Sequence, residues 1–304
     1  MRVINSQILG IVERPQSVFD MQWKEEANAG LTLCFDDGYK QTYELTKELL
    51  SRYGIRATYF VPTDCVGKGY HNRPVMSWKD LKECIDMGME VGSHSITHYE
   101  CATSITSRTW RFLRNLRAEE SKVGYMKYII GVVTRGSNDV KYPDYGIESE
   151  ISLSKQVLER ELSPYRVSSF AYPMGSFNHN SKQLVMKSGY SSARTTLVGL
   201  NDPGKIDLYA LKCNVWRDYT TLSMMNRWVD RALESGSWLI ELFHLVTDTT
   251  DSGGESCPLD QLRAHLEYAT DKDIWIDTQD NVTSHIRNVT AANTMLSIFA
   301  NRGE

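Results

Sequence analysis

Two carboxylates stand side by side at Asp36 and Asp37, at the end of the apolar run "LTLCF" and just before Gly38. Like charges raise each other's pKa, and burial raises it further, so a strand ending this way is costly unless something uses the pair. A solvated turn is one explanation, since Asp and Gly both favour turns. The other is a site in which one carboxylate holds a cation and its neighbour handles protons. Further along, "SHSITH" sets His94 and His98 four residues apart. On a helical turn that spacing presents both imidazoles to one point. Two histidines and a carboxylate make a facial metal set with open positions for water and a substrate oxygen. Non-haem iron oxygenases use the same set, but a spare aspartate and a third histidine speak for proton transfer. That third histidine, His244, ends the apolar run "WLIELF", which Glu241 interrupts without an evident role. A metal lowers the pKa of bound water and polarises a carbonyl. An adjacent carboxylate can take the water's proton, and His244 can protonate a leaving amine, as hydroxide attack on an amide requires. Taken singly, the histidines also suit satisfied loop or core positions. "FAYPMG" (residues 170–175) carries no charge, and its Pro173–Gly175 turn either merely closes a strand or turns backbone N–H groups toward an oxyanion.

These residues need elements that bring them together. "AGLTLCFDDG" reads as a buried strand running into a loop, and "YKQTYELTKELLSRYG" as a helix ending at Gly54. "IRATYFVPT" is the next strand, and Ser77 caps a helix over "WKDLKECIDMG". "MEVGSHSITH" is a strand with its exit loop. After a helical stretch from Ser107 and a turn-rich polar one, a short helix is expected over Ser154 to Leu162. Then come a strand in "VSSFAYPMG", a helix capped by Asn180 or Ser181, strands in "YSSARTT" and "LYALKCNVW", and an amphipathic helix over "LSMMNRWVDRALESG". The strand "SWLIELFHLV", a helix over "PLDQLRAHLEYATDKD" and the strand "IWIDT" follow. Alternating strands and helices predict parallel strands with crossover helices. No G-x-G-x-x-G follows the first strand, so an α/β barrel fits better than a dinucleotide-binding sheet. In a barrel the strand ends that carry Asp36, Asp37, His94, His98, Asn178, His179 and His244 share one face, where sites are built.

The 304 residues can bury a large core. With 34 basic and 38 acidic residues and a formal charge of -4, the chain has no electrostatic footprint for nucleic acid. No apolar run reaches the roughly 18 residues of a membrane span. The first residues lack an apolar segment after a basic one, and the six cysteines show no CxxC spacing. Free thiols and a cytoplasmic setting are therefore expected.

Together these segments resemble the polysaccharide deacetylase family, the NodB-homology domains of family 4 carbohydrate esterases. The family's first motif, T-F-D-D-G, stands here as "CFDDG", and its second, H-S/T-x-x-H, as "HSITH". The third, R-x-P-Y, is replaced by "AYPM" within "FAYPMG", similar to the F-A-Y-P-x-G variant, and the fifth, L-x-H, stands as "LFH". The resemblance implies a distorted (β/α)7-type barrel with short extra N- and C-terminal elements, and one divalent metal, most often zinc. It implies removal of N-acetyl groups from an amino sugar or N-acetylated glycan by metal-bound water. Carried over by motif, Asp36 is the general base, Asp37, His94 and His98 are the metal ligands, His244 is the general acid, and the Met174 N–H is the oxyanion donor.

Two positions depart from the pattern. Ala171 stands where an arginine normally pairs with the base aspartate; Arg194 or Lys212 are the candidates to replace it. The fourth motif, source of the aspartate that tunes the catalytic histidine, has only Asp218 as a remnant. Two alternatives stay open: an amidase or imidase on a small non-glycan substrate, and a catalytically weak carbohydrate-binding member. Imide-hydrolysing members tend to depart at the first aspartate, which is kept here, so deacetylation is preferred. The expected layout is an N-terminal segment over 1–27 packing on the barrel, the barrel over 28–280, and a helical tail over 281–304. An insertion over about 122–150, bearing Tyr125, Tyr128, Tyr142 and Tyr145, either packs down as an ordinary surface segment or walls the groove and selects the glycan.

Overall fold

The computed structural model of the protein describes residues 21–102, 146–248 and 255–300, so the four tyrosines of the insertion lie outside the described residues. In chain order the elements are β1 (Ala29–Phe35), α1 (Lys40–Arg52), β2 (Thr58–Val61), the short pair β3 (Gly69–Tyr70) and β4 (Arg73–Pro74), α2 (Trp78–Asp86) and β5 (Glu90–Ser93). Next come α3 (Gly146–Glu161), β6 (Ser169–Ala171), α4 (His179–Lys187), β7 (Ser192–Arg194), β8 (Asn214–Val215) and α5 (Leu222–Ser235). The chain continues through β9 (Trp238–Phe243), β10 (Leu245–Thr247), β11 (Ser256–Pro258), α6 (Leu259–Thr270), β12 (Ile274–Ile276) and α7 (Gln279–Ala300).

The main sheet runs β7-β6-β5-β2-β1-β9-β8, all parallel. β12 lies against the first half of β1 (Ala29 to Leu31), below β2 on the same side. Leu211 bridges Arg194 of β7, and β8, three residues later, pairs with β9. The two sheet edges thus meet through one stretch of chain, and the fold is the expected distorted (β/α)7-type barrel. Parallel strands covered on both faces must be apolar throughout. Every residue of β1, β2, β5, β6, β7 and β9 is buried. Side chains alternate between two cores. Cys34, Phe60, Ala171, Ile240 and Leu242 fill the barrel, with Trp23 and Trp275 in the same cluster. Leu33, Phe35, Leu239 and Phe243 pack outward under the helices. Glu241, on that outward register, meets His265 of α6 at 2.9 Å, both fully buried. Its role is in the helix layer and not in the site.

Several boundaries differ from expectation. α3 begins at Gly146, eight residues before Ser154, because Glu150, Ile151, Ser154 and Leu158 make one buried face whose first member is charged. The cap of α4 is Asn178, not Asn180 or Ser181. Asn178 accepts from the Ser181 N–H and Ser181 Oγ accepts from the Asn178 N–H, both at 2.9 Å, a reciprocal box that fixes the start one turn earlier. Ser77 does cap α2, paired with Asp80. β3, β4, β10 and β11 have two or three residues each, too few to show a period. All six cysteines are free and buried, and among the described residues no helix is long and apolar enough to cross a membrane.

Candidate active site

The mouth of the barrel is built from strand exits that leave in uncommon backbone conformations. The Asp36 N–H still bonds Phe243 O at 2.9 Å, continuing the ladder to β9. Asp37 then takes φ 67° and Gly38 φ 63°. A Cβ on Gly38 would stand 2.6 Å from Val61 Cγ1, so this turn admits only glycine there. Beyond β5, Ser95 and His98 have φ of 65° and 63°. His94 and His98 therefore sit on a loop, not on the helical turn their spacing suggests. Left-handed backbone at non-glycine residues is strained and gathers at functional sites.

These turns aim three side chains at one point. The ligand atoms of Asp37, His94 and His98 all lie within 4.8 Å of one another. Asp37 Oδ1 is 3.4 Å from His98 Nε2 and 3.7 Å from His94 Nε2, too long for hydrogen bonds. That buried oxygen has no hydrogen-bond partner. Each imidazole is oriented from behind: His94 Nδ1 faces the Ala171 carbonyl at 2.8 Å, and His98 Nδ1 faces the Tyr70 hydroxyl at 2.9 Å. The carbonyl fixes the proton of His94 on Nδ1 and leaves Nε2 with its lone pair inward. Burial lowers both histidines to about 4, although Asp36 pulls the other way, so both are neutral at neutral pH. Burial raises the Asp37 carboxyl, and the neighbouring Asp36 charge adds to the rise. Two ligands about 2.1 Å from one ion at tetrahedral angles stand about 3.4 Å apart. The donor set, its spacing and its orphaned oxygen fit one divalent ion.

Asp36 is treated differently. Both its oxygens lie 2.6 Å from an Arg194 amino group at the end of β7. Arg194 is fully buried and its guanidinium lies 5.3 Å from the Phe60 ring centre. Burial works to raise the Asp36 carboxyl, but the Arg194 guanidinium, by its charge and its hydrogen bonds, outweighs it and holds it below the usual value. Arg194, not the exposed Lys212, thus stands where the arginine missing at Ala171 would act. Topology makes this possible: β6 and β7 are neighbours, with Ala171 and Arg194 directly paired.

His244 follows β9, its Nδ1 3.0 Å from Glu255 Oε2, although the two are not aligned for a hydrogen bond. Arg217 forms an ion pair with the same carboxylate. The acid beside His244 is therefore Glu255, while Asp218 is exposed. Met174, half-exposed at φ 55°, forms the turn after β6. Gly175 follows at φ 63°, where a Cβ would strike Thr196. Asn178 and His179 take no part; the first caps α4 and the second is exposed. Tyr70, Arg217 and Glu255 carried no sequence signal, since they lie on or beside strands of two or three residues.

The sequence model of the polysaccharide deacetylase family matches residues 24–193, more than half of the chain. YxkH of Bacillus subtilis, provisionally named a polysaccharide deacetylase, is 22% identical over 204 residues. That match takes in 66% of this chain but spans only 58% of the relative's length. A Mycobacterium smegmatis protein of similar provisional name superposes with a TM-score of 0.55 at 12% identity, over 89% of this chain and 94% of that one. A family 4 carbohydrate-esterase pseudoenzyme of Bacillus anthracis matches with a TM-score of 0.48 at 14% identity, over 84% and 65% of the two chains. The family model runs from just before β1 through both motif loops to the strand that carries Arg194's neighbour Ala193, and over that span the chain belongs to the polysaccharide deacetylase family.

Proposed function

We propose that the protein is a metal-dependent hydrolase that removes N-acetyl groups from an amino sugar or N-acetylated glycan. The observation that carries this reading is the unequal treatment of two adjacent aspartates. Asp37 opens an unpartnered oxygen toward two neutral imidazoles, while Asp36 is kept ionised by Arg194. One ion, with zinc the best match to this nitrogen-rich set, would be held by Asp37, His94 and His98. When bound it supplies Lewis acidity and a water of lowered pKa.

The chain's own residues do the rest. Asp36 accepts the proton of the attacking water, and its ionised state is what that role requires. The Met174 N–H, on a turn fixed by Pro173 and Gly175, donates to the carbonyl oxygen as charge builds on it. His244 gives a proton to the leaving nitrogen, with Glu255 setting the ring and balancing its charge. Acetate and a free amine result, and no bond to the protein forms.

The test is acetate release from short N-acetylglucosamine oligomers by zinc-loaded, chelated and reloaded protein. Release that chelation abolishes and zinc restores is expected. Release unaffected by chelation would overturn the metal role. Failure on every N-acetylated sugar, with turnover of a small cyclic imide, would move the activity to the amidase class.

A further inference from the structure

Between the two histidine ligands, the loop over residues 95–98 is held by a side chain from a distant part of the sequence. Glu150, on the second turn of α3, is 1% exposed. Its Oε2 accepts the backbone N–H groups of Ile96 and Thr97 at 2.8 and 3.0 Å, and its Oε1 accepts the Thr97 hydroxyl at 2.7 Å. Both oxygens are thus spent on the loop. The loop's carbonyls are held from the other side, Ser95 O by the Thr63 N–H and Ile96 O by the Asp64 N–H. α3 is itself pinned to the end of β5 by the Ser93–Ser154 hydroxyl contact at 2.8 Å. Without Glu150, two adjacent buried N–H groups would lack partners, in a loop that must also keep Ser95 and His98 left-handed.

We propose that Glu150 is a positioning residue of the metal centre: it fixes the backbone between His94 and His98 so that both imidazoles meet Asp37. The inference rests on the metal reading of Asp37, His94 and His98. A carboxylate suits the task because one oxygen can accept two neighbouring N–H groups, in the manner of an anion in a backbone nest. Glu150 touches neither ion nor substrate, and its effect passes through the loop.

The experiment measures zinc affinity by competition with a chromogenic chelator, and the visible absorption of the cobalt-loaded protein, for wild type, Glu150→Ala, Glu150→Asp and Glu150→Gln. Removing outer partners of metal ligands typically weakens metal binding by about 10- to 100-fold. Glu150→Ala is expected to fall in that range, with a changed cobalt spectrum and an apo protein that still unfolds cooperatively. Glu150→Asp keeps the charge but withdraws the acceptors, and is expected to bind metal more weakly than wild type. Glu150→Gln can place its amide oxygen where Oε2 sits, and is expected to restore the cobalt spectrum. Wild-type affinity and spectrum in Glu150→Ala or, should that variant not fold, in Glu150→Asp would overturn the role. A wild-type protein that takes up neither metal would overturn the metal reading itself, and this inference with it.

Discussion

Asp36 and Glu90 are both buried carboxylates of one barrel, at its opposite ends. Asp36, at the mouth, faces Arg194 and is held ionised. Glu90, at the base, accepts from Thr58 Oγ1 at 2.8 Å and from the Asp280 N–H at 3.0 Å. Among the described residues no ion pair reaches it, and burial pushes its carboxyl up to about 7. Its other oxygen, with Gln279 Oε1 and Thr283 Oγ1, is a buried acceptor without a partner. The backbone differs too. Asp37, Ser95, His98 and Met174, all in loops leaving the mouth, have positive φ, whereas among the described residues the run-ins to the main-sheet strands show it at one non-glycine residue, Glu26 before β1. Buried polarity alone therefore does not mark the site. A carboxylate kept charged, beside strained exits, does.

The sharpest way to break this contrast is to neutralise each acid in turn. Asp36→Asn is expected to keep its metal and lose roughly 10²- to 10⁴-fold in turnover, since general acid–base steps are worth that much. Glu90→Gln should leave turnover unchanged. Equal losses in the two variants, measured by acetate release, would erase the distinction between the ends.

Arg194→Met tests why Asp36 stays charged. Breaking a buried pair leaves an uncompensated ion and costs about 3–5 kcal/mol. Urea unfolding at neutral pH should show a loss of that size, and Arg194→Lys a smaller one. A loss near zero would mean that Arg194 is not what accommodates the Asp36 charge.

Glu90 makes the opposite prediction. Its pKa rises from 4.5 to about 7, so the folded chain keeps a proton that the unfolded chain releases between those values. Stability from this group is greatest below the unfolded pKa and falls as pH climbs through the folded one. Glu90→Gln, a fixed mimic of the neutral acid, should raise the unfolding free energy by roughly 3 kcal/mol at pH 8 and by little at pH 4. An equal change at both pH values would show that charge is not the cause. The smallest effect belongs to Glu255→Gln, expected to lower kcat by about tenfold with KM unchanged, the signature of a group acting on His244 and not on substrate binding.

The residues at the strand exits were legible because apolar runs ended in them: Leu31 to Phe35 before Asp36, Trp238 to Phe243 before His244. What supports them was harder to read. Arg194 was one of two candidates, and only the pairing of β6 with β7 puts it in the place of the missing arginine at Ala171. Glu150 falls in a stretch that reads as polar turn, because an acidic residue type interrupts the apolar face of α3. Glu255 and Tyr70 act from segments too short for any periodicity. Local patterns reveal what a strand carries to its end; which side chain comes to meet it is set by the order of strands.

Diffraction from zinc-loaded crystals, recorded on either side of the zinc absorption edge, tests the central claim most directly. One anomalous peak is predicted, about 2.0–2.2 Å from an Asp37 oxygen and from Nε2 of His94 and His98, with Asp36 still on Arg194 and outside the ligand set. A peak coordinated by Asp36, or no peak among these residues at full zinc loading, would contradict it.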